Sequence, residues 1–197
     1  MHRPDRADRH GLVLTHGAGG NCSAPLLVAA ANAFAGVGLH VLRCDLPFRQ
    51  RRPKGPPSPS TAAADRAGLR AAVEALRGVV LGPVFMGGQS YGGRQATMLA
   101  ADEPELTAGL LLFSYPLHPP GKPDRVRTEH FPRLRVRAVF VQGTADPFGS
   151  IDEIRPALAL IPAATRLIPI EGAGHDLKRG RFDLAPVVAA LLDYAAT

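Results

Sequence analysis

The 197-residue sequence is poor in several residue types, and each shortage excludes a class of protein. Cys22 and Cys44 are its only cysteines, too few for a disulfide scaffold, so both read as reduced thiols. There is no tryptophan and aromatics make up 6%, which leaves no evident stacking platform for single-stranded nucleic acid. Lysine stands only at Lys54, Lys122 and Lys178, so the net charge of +6 is carried by arginine. With abundant alanine, glycine and proline, this is the bias of a GC-rich genome rather than of a selected basic surface, and no nucleic-acid partner is expected. No apolar run reaches the roughly 18 residues of a membrane helix, and no membrane partner is expected. Residues 1–6 are charged with no apolar segment behind them, so no secretory signal is read and the expected location is cytoplasmic. The histidines and cysteines show no metal-ligand spacing, so neither metal nor cofactor is expected.

What is present is a chain 46% hydrophobic and 20% charged, enough apolar material for the core of one domain spanning 1–197. Strand-like and helix-like segments alternate. Leu12-Val13-Leu14, Leu39 to Leu42, Val84-Phe85-Met86, Leu110 to Phe113, Val139-Phe140-Val141 and Leu167 to Ile170 read as strands, the last at an edge because of Pro169. Between them, Leu26, Ala30, Ala33, Phe34 and Val37 share one helical face, with Ser23 as the cap. Leu69, Val73, Leu76 and Val80 form a second stripe, capped by Ser60. Arg94 to Ala101 reads as a helix, as do the stripes Ile151, Ile154, Leu158, Ile161 and Leu184, Val187, Val188, Leu191. Strands apolar on both faces and alternating with helices predict a mostly parallel sheet of about six strands, covered on both sides. Two long loops, Leu46–Ser58 and Tyr115–Arg135, follow strands and are expected at the carboxyl edge, where ligands bind in such sheets.

The strongest chemical signal is Gly88-Gln89-Ser90-Tyr91-Gly92, between a strand and a helix. In that context G-x-S-x-G is a nucleophile elbow, and glycines are needed two residues either side of the serine because side chains there would collide. Serine is a weak nucleophile without a base, and the base needs an orienting acid. Asp146, in Gly143-Thr144-Ala145-Asp146-Pro147, and His175, in Gly172-Ala173-Gly174-His175-Asp176, each follow a strand and complete the order Ser, Asp, His. Singly, each has a plain reading as a loop residue; jointly, they point to acyl transfer. Such a site also needs two N–H donors for the developing oxyanion. The backbone N–H of Tyr91 and that of Ala18, in His16-Gly17-Ala18-Gly19-Gly20-Asn21, are the candidates. His16 either holds this loop by a hydrogen bond or is a structural histidine. His118, Phe148 and Arg94 are the candidate substrate-binding residues.

Two rival readings use the same residues. Gly17-Ala18-Gly19 with Asp45 after the next strand resembles a dinucleotide fingerprint, but Cys22 stands where the third glycine belongs. A catalytically idle hydrolase-fold interaction module is the other alternative; the intact set of three argues against it, because idle sites lose members freely.

These motifs resemble the α/β-hydrolase superfamily. His16 to Gly20, Ser114 to Pro123 with its Tyr115-Pro116-Leu117-His118-Pro119-Pro120, Gly143 to Gly149 and Gly174-His175-Asp176-Leu177 narrow it further. They are similar to a family of small dienelactone-hydrolase-like proteins that includes a testis-expressed protein and a histone acetyltransferase complex subunit. The likeness runs from about Leu12 to Tyr194. It implies a minimal hydrolase sheet without a large cap domain, and Ser90, Asp146 and His175 as the triad. Dienelactone hydrolases use a cysteine nucleophile where this chain has Ser90. The function expected is therefore a serine hydrolase of carboxylic esters or related small acyl compounds. A last expectation concerns charge. Arg49, Arg51, Arg52, Lys54, Arg94, Lys122, Arg125 and Arg127 should ring the carboxyl edge, against only Asp124, Glu129 and Asp176. That rim predicts a preference for esters bearing a carboxylate or phosphate, unless the arginines are only solvated surface.

Overall fold

A computed structural model describes residues 10–194; the charged segment 1–6 read against a secretory signal lies outside them. The strands are β1 (Gly11–Thr15), β2 (His40–Cys44), β3 (Val84–Gln89), β4 (Leu110–Phe113), β5 (Ala138–Gly143) and β6 (Thr165–Ile170). They form one sheet in the order β2-β1-β3-β4-β5-β6, and every pairing is parallel. The helices are α1 (Pro25–Gly36), α2 (Pro47–Arg51), α3 (Ala62–Arg77), α4 (Tyr91–Asp102), α5 (Ile151–Leu158) and α6 (Ala185–Leu192).

Because side chains alternate across a strand, the continuous apolar runs divide between two cores. Leu12, Leu14, Phe85, Leu111, Phe113, Val139 and Val141 face α1 and α6. Val13, Val84, Met86, Leu110, Leu112 and Phe140 face α3, α4 and α5. The helix stripes follow the same logic: Leu69, Val73 and Leu76 of α3 are buried, as are Leu26, Ala30 and Phe34 of α1. Val37, placed on that stripe by spacing, lies past the end of α1 and is exposed. β6 is an edge strand, and Pro169 is accommodated there because an edge leaves one side of the strand unpaired.

The differences from expectation are local. Ser23 does not cap α1; Ala24 holds that position, with Pro25 opening the helix. Ser60 does not cap α3; it sits in a short 3-10 turn, Pro59–Thr61, whose cap is Ser58. The segment Leu46–Ser58 contains a helix, α2, hidden by its arginines and prolines. β3 runs on to Gln89 through Gly87 and Gly88, residues of low strand propensity. α4 starts at Tyr91 rather than Arg94. Among the described residues there is no separate cap domain, and no helix is long and apolar enough to cross a membrane.

The connection that matters for function is the reversal at β1. The chain leaves β1 toward β2 on one side, then returns to place β3 on the other. At such a switch point the loops diverge and open a crevice beyond the strand ends. Thr15 at the end of β1 is level with Gly88 of β3, which brings the loop after β1 beside the elbow after β3.

Candidate active site

Ser90 sits between β3 and α4 with φ 50° and ψ −115°, a backbone state that costs a non-glycine residue on the order of 1–3 kcal/mol. The fold clamps it there. Its N–H donates to the Phe113 carbonyl at 2.9 Å. A Cβ on Gly88 would lie 2.3 Å from the Thr15 carbonyl oxygen, and one on Gly92 would lie 2.6 Å from that of His16. Both glycines are therefore required by the close approach of the β1 end, as the motif predicted.

The structure brings Ser90, His175 and Asp146 into one hydrogen-bonded line. His175 Nε2 is 2.9 Å from Ser90 Oγ, and His175 Nδ1 is 2.8 Å from Asp146 Oδ2 and 3.0 Å from Oδ1. An ionised carboxylate only accepts, so Nδ1 carries the proton and Nε2 is left to accept from the serine hydroxyl. The Asp146 carboxylate is buried and also accepts from the Phe148 N–H at 2.9 Å and from Gln142 Nε2 at 3.1 Å. Phe148 stacks on the His175 ring with centroids 4.0 Å apart. Gln89 donates to the His175 carbonyl at 3.3 Å.

Gln142 was not anticipated, although a polar residue ending the apolar run of β5 was a usable signal. It is fully buried and joins two loops to the acid. Its Oε1 accepts the Tyr115 N–H at 2.9 Å, while its Nε2 donates to Gly149 O at 2.9 Å as well as to Asp146. Asp65 was also missed. It is buried in α3, accepts the Phe48 N–H at 2.9 Å and the Tyr91 hydroxyl at 2.7 Å. This pins the Tyr91 side chain against the cavity wall. Burial, reinforced by the Asp65 carboxylate, pushes the Tyr91 phenol well above its ordinary range.

The loop after β1 is positioned by His16, which is fully buried. The Leu46 N–H donates to its Nε2 at 3.1 Å, so Nδ1 bears the proton and donates to the Gly17 carbonyl at 2.8 Å. Burial keeps the ring neutral by pushing its pKa below the usual histidine range. In a trans peptide the C=O and N–H point in opposite directions. Turning Gly17 O toward His16 therefore aims the Ala18 N–H away from it, on the side where Gly17 meets Ser90: a Cβ on Gly17 would be 3.4 Å from Ser90 Cβ. Tyr91 is the first residue of α4, so its N–H has no carbonyl within the helix. Both backbone N–H groups named from the sequence therefore flank Ser90.

A cavity of about 720 Å³ opens over Ser90 and His175, within the ordinary range for small-molecule sites. Gly17 to Gly20 form one wall, Pro56 and Pro57 of the Leu46–Ser58 segment with Pro59 just after it a second, and Arg94, Gln95, Pro116 and Arg127 a third. Of the candidate substrate-binding residues, Phe148 and Arg94 line it. His118 does not. Its N–H donates to the Phe148 carbonyl at 3.0 Å, and its ring turns to α5, with Nε2 3.4 Å from Glu153, in a separate cleft of about 400 Å³. The basic rim also needs correcting. Arg49 is buried, donating to the carbonyls of Ala18 at 2.7 Å, Gly55 at 3.1 Å and Arg52 at 3.2 Å. It braces the loop after β1 instead of facing solvent. Asp45 accepts the Cys22 N–H at 2.6 Å and lies 3.4 Å from His16, an internal role at odds with binding a ribose.

An elbow serine, a histidine and a buried acid meeting at the carboxyl edge of a doubly covered parallel sheet define the α/β-hydrolase class of fold and site. The family model for the alpha/beta hydrolase domain matches residues 8–185, and the chain belongs to that family. Solved structures agree in fold. A dienelactone hydrolase from Anabaena variabilis superposes with a TM-score of 0.68 at 23% identity, over 98% of this chain and 86% of its own. A Xanthomonas campestris α/β serine hydrolase without a lid gives 0.70 at 19% identity, over 98% and 84%. A monoacylglycerol lipase from Paleococcus ferrophilus gives 0.74 at 15% identity, over 97% of each.

Proposed function

We propose that the protein is a serine hydrolase that cleaves carboxylic esters or related small acyl compounds through an acyl-enzyme. The observation that carries this reading is the line from Ser90 Oγ through His175 to Asp146, at 2.9 Å and 2.8 Å. Ser90 Oγ attacks the carbonyl carbon as His175 Nε2 takes its proton. The oxyanion is held by the N–H groups of Tyr91 and Ala18, in place before charge develops. Collapse expels the leaving group, which takes the proton from His175. Water then repeats the cycle on the acyl-enzyme and frees the acid. Asp146 holds the imidazole in the required tautomer and stabilises its cation, and Gln142 and the Phe148 N–H hold Asp146.

The family supports hydrolysis, and fold neighbours that include a lipase and a dienelactone hydrolase are consistent with an acyl substrate. Within the family, the motifs at His16 to Gly20 and Ser114 to Pro123 favour the small dienelactone-hydrolase-like branch, with serine in place of its cysteine. A fluorophosphonate probe with mass mapping tests the reading. The adduct is expected on Ser90 and is expected to vanish in Ser90→Ala. Labelling at another serine, or none on folded protein, removes it.

A further inference from the structure

The part of the cavity lining formed by Arg94, Gln95 and Arg127 has a chemistry that acyl transfer does not use. Arg94 lies one helical turn after the nucleophile, its N–H donating to the Ser90 carbonyl at 2.9 Å. Its guanidinium Nε is buried and has no hydrogen-bond partner. Gln95, 1% exposed, also lines the cavity. Arg66 donates to Gln95 Oε1 at 3.1 Å, which fixes the amide; its Nε2 is buried and unpartnered. Arg127 completes the wall from the Tyr115–Arg135 loop. Its backbone is held by the Tyr115 hydroxyl, which donates to Arg127 O at 2.8 Å, and by its own N–H, which donates to Leu117 O at 2.8 Å. Its guanidinium makes one long bond, 3.4 Å, to the Pro116 carbonyl.

Neither Arg94 nor Arg127 has a carboxylate within 4.0 Å among the described residues. Glu129, two residues from Arg127, is exposed. The nearby buried carboxylate, Asp65, is taken by Phe48 and Tyr91. Burying polar donors without acceptors is unfavourable, and two like charges on one wall repel. A fold keeps such a pair where a ligand of opposite charge offsets both. The planar forks of arginine match a carboxylate bidentately, and an amide NH₂ adds a further donor.

We propose that Arg94, Gln95 and Arg127 form an anion subsite, and that the substrates are esters bearing a free carboxylate a short chain away from the scissile carbonyl. This rests on the ester-cleavage reading above. It differs from the rim expected from the sequence, because the selectivity comes from contact inside the cavity rather than from long-range steering. Elsewhere in the lining, Pro56, Pro57, Pro59, Pro116 and Phe148 take the apolar part of the molecule.

The test compares 4-nitrophenyl hemiglutarate with 4-nitrophenyl valerate, matched in length and differing in the terminal carboxylate. The wild type is expected to favour the hemiglutarate about tenfold or more in kcat/KM, mainly through KM. Arg94→Met and Arg127→Met are each expected to lower that ratio about tenfold, as loss of one charge-assisted pair would. A wild type that favours the valerate overturns the subsite, and so do variants that lose both esters alike, as a purely structural role would require. Thermal unfolding confirms that each variant folds, and the two positions serve as independent tests. Should neither ester turn over, protection of Ser90 from the fluorophosphonate by glutarate provides the readout. Protection that weakens in both variants supports the subsite; absent protection, or protection by inorganic phosphate alone, overturns it. Since labelling of Ser90 is scored separately, failure of the subsite is distinguishable from failure of the hydrolase reading.

Discussion

At the His175 end of the cavity the polar groups are joined to protein partners. Asp146 serves His175, Phe148 and Gln142 together, and Gln142 in turn serves Tyr115 and Gly149. At the Arg94 end the opposite holds: Arg94 Nε and Gln95 Nε2 are buried donors without partners. His175, Arg94 and Gln95 line the same space. A fully paired network holds its members in one geometry, which suits groups that must be aligned before a reaction begins. Unpaired donors leave hydrogen-bonding capacity for something else to satisfy, which suits recognition. The proposed function and subsite place chemistry at the first end and selection at the second.

Removing the paired end should abolish turnover of every ester. Ser90→Ala is expected to lower kcat by about 10³-fold or more with any substrate, whereas the Arg94 and Arg127 variants change which ester is preferred. A Ser90→Ala enzyme that retains wild-type rates would collapse the division. Next in size is Gln142→Leu. It strands the Tyr115 N–H and the Gly149 carbonyl in the interior, for a loss of about 2–4 kcal/mol in denaturant unfolding, and it loosens Asp146. Gln95→Leu removes an amide whose one protein hydrogen-bond partner among the described residues is Arg66, and its loss of stability should stay below about 1 kcal/mol. Equal losses at the two glutamines would show that the ends do not differ.

A smaller effect involves His130, behind the arginine wall. Burial, helped by Arg94, pushes its pKa down to about 4. The Thr97 hydroxyl donates to the Arg94 carbonyl at 2.8 Å, so His130 Nε2, 2.8 Å from Thr97 Oγ1, is the donor in that pair. Arg133, Glu129 and Asp102 also act on the ring. A base whose folded pKa is depressed binds protons more readily when unfolded. Its stabilising contribution is complete above about pH 6.5 and is lost as the pH falls toward 4. Unfolding at pH 7.5 and 4.5 should show His130→Gln losing about 1–2 kcal/mol less than the wild type over that interval. The smallest effect belongs to the exposed Arg51, Arg52 and Lys54. Replacing all three with glutamine should change kcat/KM for the hemiglutarate less than about threefold, and salt at about 0.5 M should erase even that. A larger, salt-sensitive loss would return selectivity to long-range steering.

Much of this was legible in the chain. The apolar runs at Leu110–Phe113 and Val139–Val141, and the α3 stripe, carry local periodicity that only a doubly covered sheet can bury on both faces. Gly88 and Gly92 announced the elbow because nothing else fits beside the β1 end. Asp146 and His175 were readable because each follows a strand, and in a parallel sheet the loops after strands share one edge. Less visible were residues whose role depends on partners far away in sequence. Gln142 and Asp65 look ordinary until Tyr115 and Tyr91 are folded onto them.

Of the eight cations expected around the carboxyl edge, the sequence determined only which segments would lie there. Tertiary packing decided their separate fates. Arg49 turned inward to brace Ala18 from within α2. Arg94 and Arg127 entered the cavity, one set by the helix after the elbow, the other by a loop tied to Tyr115. His118 was carried off to face Glu153 by a backbone bond to Phe148. The physical reason is one of range. Periodicity, glycine placement and strand-to-loop order act between near neighbours and are written along the chain. The direction of a long side chain from a loop is set by whichever distant carbonyl, ring or carboxylate the completed fold brings within about 3 Å of it.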